Sequence, residues 1–285
     1  MRLLALTTLT MIAFAANSLL NRAALAGGHI GPGEFAALRV TSGALVLWLI
    51  VVVQSGAGTI WRRPDWVGVG GLAAYLLGFS YAYLQLDAGL GALVLFAGVQ
   101  LTMFAGALAE GEAPPVLRWL GMAVSLTGLV FLAWPGAGTP MPPSSLALMA
   151  VAAIGWGIYS LAGRKVASPL VATASNFLLA TPIVIVVALA LGAGPPASTF
   201  GVVLAILSGA VTSGLGYALW YRVLPTLGAT KGALAQLCVP VLALIGGATL
   251  LAEPLTLRAV VASGVILGGI LLGVLAREGH DKQGA

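Results

Sequence analysis

The eight carboxylates of the chain, Glu34, Asp65, Asp87, Glu110, Glu112, Glu253, Glu278 and Asp281, fall at the ends of apolar runs, between them or in the C-terminal tail. His29 and His280, the two histidines, also lie outside the runs. Acid–base catalysis and metal-assisted hydrolysis need such groups converging on one point. None is placed at the middle of an apolar run. An intramembrane hydrolase is therefore disfavoured, as is the usual carboxylate proton relay, and neither a metal nor a cofactor is expected. Cys238 is the single cysteine, which excludes an intrachain disulfide and a CxxC-type metal or redox site. Its apolar neighbours point to a small packing residue.

The interiors of the runs hold neutral polar and aromatic side chains instead. Polar groups deep in a bilayer are costly and mark a pathway or a packing contact. Gln100 and Gln236 sit near the middle of their runs, Asn17 and Asn176 lie in two others, and Trp156 and Tyr159, three apart, share a helix face. Tyr217 shares one with Trp220 or Tyr221. These three lie near one end of their run, and Tyr81 and Tyr83 lie near the end of another, so an interfacial aromatic belt is the competing reading for all five. The chemistry on offer is binding: amides and hydroxyls for a polar head, ring faces for an apolar body or an ammonium. Substrate-binding candidates are Asn17, Tyr81, Tyr83, Gln100, Trp156, Tyr159, Tyr217, Trp220 and Gln236.

A gating or structural role is expected for Arg39, Lys231, Pro182 and Pro240. Arg39 and Lys231 are the deepest cations, and snorkelling to the nearer surface is the default for both. The two prolines fall inside runs, where they bend or unwind backbone that a neighbour or a cavity can re-satisfy. Gly264, Gly268, Gly269 and Gly273 form overlapping small-xxx-small patterns, read here as close packing between neighbouring helices.

The elements that must position these residues follow from composition. Of 285 residues, 60% are hydrophobic and 7% charged, against roughly 25% charged in a soluble domain. A mean hydropathy of +1.05 leaves too few polar side chains for a water-facing surface. The net charge of +5 comes from scattered basic residues with no basic aromatic patch, so nucleic acid is excluded as a partner. A span needs about 20 mainly apolar residues. Ten such runs lie near 3–21, 34–54, 66–86, 89–109, 117–135, 144–163, 169–191, 199–220, 228–251 and 257–276, with the segment 135–145 separating five from five. The fold class is an all-α integral membrane protein of ten transmembrane helices.

Lysine and arginine orient it. With the N-terminus cytoplasmic, Arg2, Arg62, Arg63, Arg118, Arg164, Lys165, Arg222, Arg277 and Lys282 fall inside, and Arg22 and Arg258 outside. Both termini are then cytoplasmic. The chain also repeats itself. "IAFAANSLLNR" at 12–22 returns as "IGWGIYSLAGR" at 154–164, and "LRWLGMAVSLTGLVFL" at 117–132 as "LRAVVASGVILGGILL" at 257–272. The shifts, 142 and 140, place Phe14 on Trp156, Asn17 on Tyr159, Arg22 on Arg164 and Arg118 on Arg258. Five helices is an odd number, so the second set enters the membrane with opposite polarity. Two inverted five-helix repeats, 1–138 and 139–285, are expected, an arrangement typical of secondary transporters. The first run has the basic start and Ala-x-Ala pattern of a signal peptide, but its echo inside the chain favours a retained helix.

"GEFAALRVTSGAL" at 33–45, "GALAEGEAPP" at 106–115 and "LGATKGALAQLCVPVLALIGGATLLAEPLTLRAVVASGVILGGILL" at 227–272 resemble the drug/metabolite transporter superfamily in its EamA-type branch. Arg39 matches an arginine common on that family's second helix, Glu112 and Glu253 the glutamates after its fourth and ninth, and Pro240 its ninth-helix proline. Gln100 and Met103 stand where many relatives carry a proline, which is similar to the aromatic amino-acid exporter group called YddG. The resemblance implies a ten-helix exporter of small metabolites, with a cavity lined by helices 1, 3, 4, 6, 8 and 9. No basic residue is expected at the midplane, so phosphorylated substrates rank low. A zwitterion with an apolar side chain suits the amides and rings. The expected function is facilitative export of amino acids, aromatic or other large neutral ones, across a bacterial inner membrane, by a chain able to work as a monomer. Another small neutral metabolite or drug is the alternative, and a membrane-embedded enzyme is disfavoured.

Overall fold

The computed structural model describes residues 1–56, 64–111, 113–134, 141–163, 166–192 and 194–276, giving backbone without side chain at Tyr221, 228–231, 233 and 234. Among these the protein is all helical: α1 Arg2–Ala26, α2 Pro32–Ser55, α3 Trp66–Ala82, α4 Ala88–Ala109, α5 Val116–Ala133, α6 Pro143–Gly163, α7 Pro169–Ala190, α8 Thr199–Ile206, α9 Gly216–Gln236, α10 Cys238–Leu250 and α11 Leu257–Leu275. A π-helical segment, Leu207–Leu215, joins α8 to α9 without a break. Arg62, Arg63, Glu112, Arg164, Lys165, Arg277, Glu278, His280, Asp281 and Lys282, along with the side chains of Tyr221 and Lys231, lie outside the described residues.

Among the described residues, eight helical stretches are long and apolar enough to cross a membrane, and α3 and α10 are shorter apolar helices. Their starts follow ordinary capping chemistry. Asp65, Ser198 and Thr256 accept from the backbone N–H of Gly68, Gly201 and Ala259 at 3.0, 3.1 and 3.1 Å, satisfying N–H groups that the first turn leaves free. Pro32 and Pro169 occupy first-turn positions, where the missing N–H costs nothing. Large side chains such as Trp66, Leu189 and Leu257 stay exposed, as expected of helices whose outer solvent is lipid.

The predicted spans 199–220 and 228–251 need one adjustment. Helical backbone continues through the expected connection as far as Gln236. It nevertheless doubles back. A Cβ on Gly232 would lie 3.3 Å from the Trp220 ring, whereas in a straight helix those residues stand about 18 Å apart. Pro225 lies inside this reversal, and the chain breaks again at Leu237 before α10. Pro240 therefore sits in the first turn of α10 rather than mid-helix.

Helices pack as pairs: α3 on α6, α5 on α11, α2 on α7, α4 on α6 and α10, and α1 on α9, α10 and the π-helical segment. Glycines permit the closest approaches. On α11, Gly269 and Gly273 meet Gly121 of α5, while Gly264 and Gly268 face nothing within 4 Å. The packing reading thus holds for half of that stripe. Cys238 is exposed rather than packed.

One end of the bundle is tied by contacts between turns. Ser198 donates to the His29 carbonyl oxygen at 3.0 Å, Ser145 to Gln85 at 2.8 Å, and Arg22 pairs with Asp87 and Glu253. The opposite end carries Arg118, the end of α6 and the start of α7.

Candidate functional site

A cavity of about 470 Å³ opens between α1, α4, α5, α6, α9 and α11 toward the Arg118 end. Its exposed rim includes Gly163 and Pro169. This is the size range of small-molecule sites, roughly 300–1,000 Å³. Six sequence candidates line it: Gln100, Trp156, Tyr159, Tyr217, Trp220 and Gln236. The two glutamines come from α4 and from the last residue of α9, where the helix break at Leu237 turns the chain.

The rings form a connected wall. Phe14 meets Tyr217 and Trp220 edge-on at 5.7 and 5.9 Å between centroids. Trp156 lies 5.4 Å from Tyr217 and 5.3 Å from Tyr159. Tyr159 is fixed by a 2.8 Å hydrogen bond between its hydroxyl and that of Thr173 on α7. No carboxylate appears among the described lining residues. Arg118 stands at the mouth with its guanidinium 5.9 Å from the Phe104 ring.

Phe14, Phe96, Met103, Met122, Ser160 and Arg118 also line the cavity but were not among the sequence candidates. For Phe14 the signal was present, because the repeat aligns it with Trp156. Helix α3 contributes no described lining residue, whereas α5 and α11 do, which changes the helix set that the family resemblance implied.

Asn17, Tyr81 and Tyr83 do not line the cavity. Tyr83 is fully buried, and its hydroxyl donates to the Ala88 carbonyl oxygen at 3.1 Å. The Tyr81 hydroxyl lies 3.1 Å from where a Cβ on Gly33 would be, against α2. Asn17 is buried, its side-chain oxygen accepting from Ser208, Thr212 and Ser213 of the π-helical segment. Asn176 is buried on α7, close to Gly68.

Arg39 departs from the snorkelling expectation. Its side chain is 0% exposed. Nε donates to Ser213 at 3.3 Å and Nη2 to the Tyr75 hydroxyl at 2.9 Å, and the Tyr75 and Phe79 rings cover the guanidinium. With α2 packed on both α7 and the π-helical segment, the arginine is held inside the bundle. Pro182 lies inside α7.

At the closed end Arg22 joins three segments. It pairs with Asp87 at 3.0 Å and Glu253 at 3.2 Å. Both Glu253 oxygens also accept from the Ala88 N–H at 2.9 Å. Burial, with Asp87 adding to it, holds the Glu253 carboxyl above the usual carboxylate range despite the Ala88 N–H and Arg22.

Apolar membrane-length helices around a small-molecule cavity that reaches one end of the bundle make this a multi-pass membrane protein with room for a small solute. The model of the EamA-like transporter family matches residues 143–275. An uncharacterized protein of Pseudomonas aeruginosa, PA1977, is 45% identical over 100% of this chain and 99% of its own length. The chain belongs to the EamA-like transporter family. An uncharacterized transporter of Archaeoglobus fulgidus is 24% identical over 87% of this chain and 90% of its own. A crystal structure covering 95% of this chain and 97% of its own superposes with a TM-score of 0.67 at 22% identity, a likeness of fold.

Proposed function

We propose that the protein exports amino acids with large apolar or aromatic side chains, by alternating access between two inverted five-helix halves. The carrying observation is the cavity, with seven rings and two glutamine amides facing one volume and no carboxylate among the described lining residues. Ring faces suit an aromatic side chain and favour an ammonium group, and the amides bond either end of a zwitterion. Such a site supports facilitation, and the YddG-like reading rests on Gln100 and Met103 alone.

Packing supports the inverted halves. Exchanging them maps the α2–α7, α5–α11 and α4–α10 pairs onto themselves, and the α4–α6 pair onto α10–α1. It also carries α3–α6 onto the contact of α1 with the segment after α8. In this reading the Arg118 end is cytoplasmic, as are both termini, in a bacterial inner membrane. The chain then faces inward, with its outer end closed by the Arg22 cluster. One chain encloses the whole cavity, so a monomer suffices.

The test is flux of labelled phenylalanine, threonine, lysine and a sugar phosphate in proteoliposomes, with and without a pH gradient. Saturable phenylalanine flux without a gradient is expected. Flux that requires the gradient overturns facilitation, and absence of amino-acid flux overturns the substrate class. Met103 and Met122 in the lining, adaptable to varied apolar shapes, favour a second reading, export of other small neutral metabolites. It is tested by competition in the same assay.

A further inference from the structure

Between the cavity and the Arg22 cluster runs a buried polar seam whose residues are not among those lining the cavity. It starts at Ser80 and Asn21, linked at 3.3 Å, and passes through Ser208, which donates to Asn17 at 2.9 Å. From there Ser213 leads to Arg39 and Tyr75. Asn21 adjoins Arg22 in sequence. At the other end Ser213 is four residues, about one turn, from Tyr217 in continuous helix, and the Tyr75 ring lies 4.8 Å from Trp156. The seam therefore connects the closed end to the cavity wall.

Its hydrogen bonding is unbalanced. The Asn17 oxygen, with two lone pairs, is approached by three hydroxyls. Arg39 brings a permanent charge and five N–H donors. Its Nη1 is buried with no hydrogen-bond partner among the described residues, although its other two nitrogens are engaged. The named partners are a serine, a tyrosine and two ring faces, none of them anionic. A buried charge without a counter-ion is unfavourable, so the seam is rich in donors and holds no anion among the described residues.

We propose that Arg39, flanked by Ser213 and Tyr75, is a carboxylate-binding subsite of the transport path, reached when the outer half opens and the seam becomes its lining. This rests on the amino-acid reading and deepens it. The substrate's carboxylate takes the Nη1–Nη2 edge, a planar fork that matches it, while the apolar side chain stays against Trp156 and Tyr217. Nothing acidic is needed in the protein because the solute supplies the counter-ion.

The experiment is inhibition of labelled phenylalanine flux in proteoliposomes by phenylalanine, phenylalaninamide and phenethylamine. Wild type should prefer phenylalanine by roughly tenfold or more, the scale of one hydrogen bond to a charged group. Arg39→Gln should bring that preference close to one, and Arg39→Lys, a point charge without the fork, should retain part of it. A purely structural arginine would lower flux while leaving the preference intact, and that result overturns the proposal. So does a wild-type protein that accepts the amide as readily as the acid, a comparison independent of whether any variant folds. Absence of phenylalanine flux in wild type instead removes the amino-acid reading itself, and the subsite with it.

Discussion

A methyl group on Gly155 would lie 2.5 Å from the carbonyl oxygen of Gly71, and one on Gly71 would lie 2.7 Å from that of Gly155. This mutual approach sets the α3–α6 distance, and with it the tilted 4.8 Å contact between the Tyr75 and Trp156 rings. Both obstructing atoms are backbone, which cannot rotate away. Gly155→Ala should therefore separate the helices and destabilise the protein by about 1–3 kcal/mol, the usual scale of overpacking. The check is a lower melting temperature in detergent. Gly264→Ala, at a site with nothing within 4 Å, is the control and should leave it unchanged.

Inside the cavity, Trp156 and Gln100 are expected to act differently. Trp156 contributes a large ring at the centre of the wall, and Trp156→Ala should cost about 2 kcal/mol in apparent affinity, the scale of a buried aromatic anchor. Gln100→Ala removes a hydrogen bond to one charged end of the zwitterion and should raise KM by roughly tenfold or more. Initial-rate transport across a phenylalanine concentration series checks both. Unchanged kinetics in both variants would remove these residues from the site.

Much of this arrangement was legible in the chain. Gln100 and Gln236, near-equivalent in the two halves, face one cavity, and so do Phe14 and Trp156, which the 142-residue shift superposes. Other features depended on neighbours that a linear reading lacks. Arg39 looked able to snorkel because its position near a helix end says nothing of α7 and the π-helical segment packed over it. Asn17 looked like a cavity residue because its distance along α1 does not reveal the serines and threonine it faces. The eighth and ninth runs are separated by a reversal, but the connection with Arg222 and Pro225 read as a loop, whereas its backbone stays helical.

Glu253 gives a pH dependence of defined sign. Its carboxyl is raised above 4.5, through burial first and Asp87 as well. The groups facing it are Arg22 on α1, Asp87 before α4 and Tyr83 after α3. Arg258, in the first turn of α11, instead donates to the Phe131 and Trp134 carbonyl oxygens. A raised carboxyl binds its proton more tightly in the folded protein, so its contribution is fully present below about pH 4.5 and is lost as pH rises through the raised value. Glu253→Gln removes that step. The melting temperature of the variant should therefore gain on wild type as pH increases across this window. A constant difference would mean that Arg22 and the Ala88 N–H balance burial, and one that runs the other way that they outweigh it.

Arg22 is the cation that lets Asp87 and Glu253 share one corner of the closed end, with side chains 11–19% exposed. Arg22→Gln leaves two half-buried carboxylates facing each other, and separation into water relieves that repulsion. The closed end should open more often, uncovering Ser80 of the seam, which is 0% exposed. With Cys238→Ser as background, a cysteine in place of Ser80 reports this through its labelling rate with a membrane-impermeant maleimide. Arg22→Gln should accelerate labelling roughly tenfold, about 1.4 kcal/mol. That lies below the 3–5 kcal/mol of breaking a fully buried pair, because the cluster keeps some contact with water. Asp87→Asn keeps the Arg22–Glu253 pair and should change the rate much less. Equal rates in all three proteins would show that the cluster does not hold the end closed, leaving helix packing alone to do so.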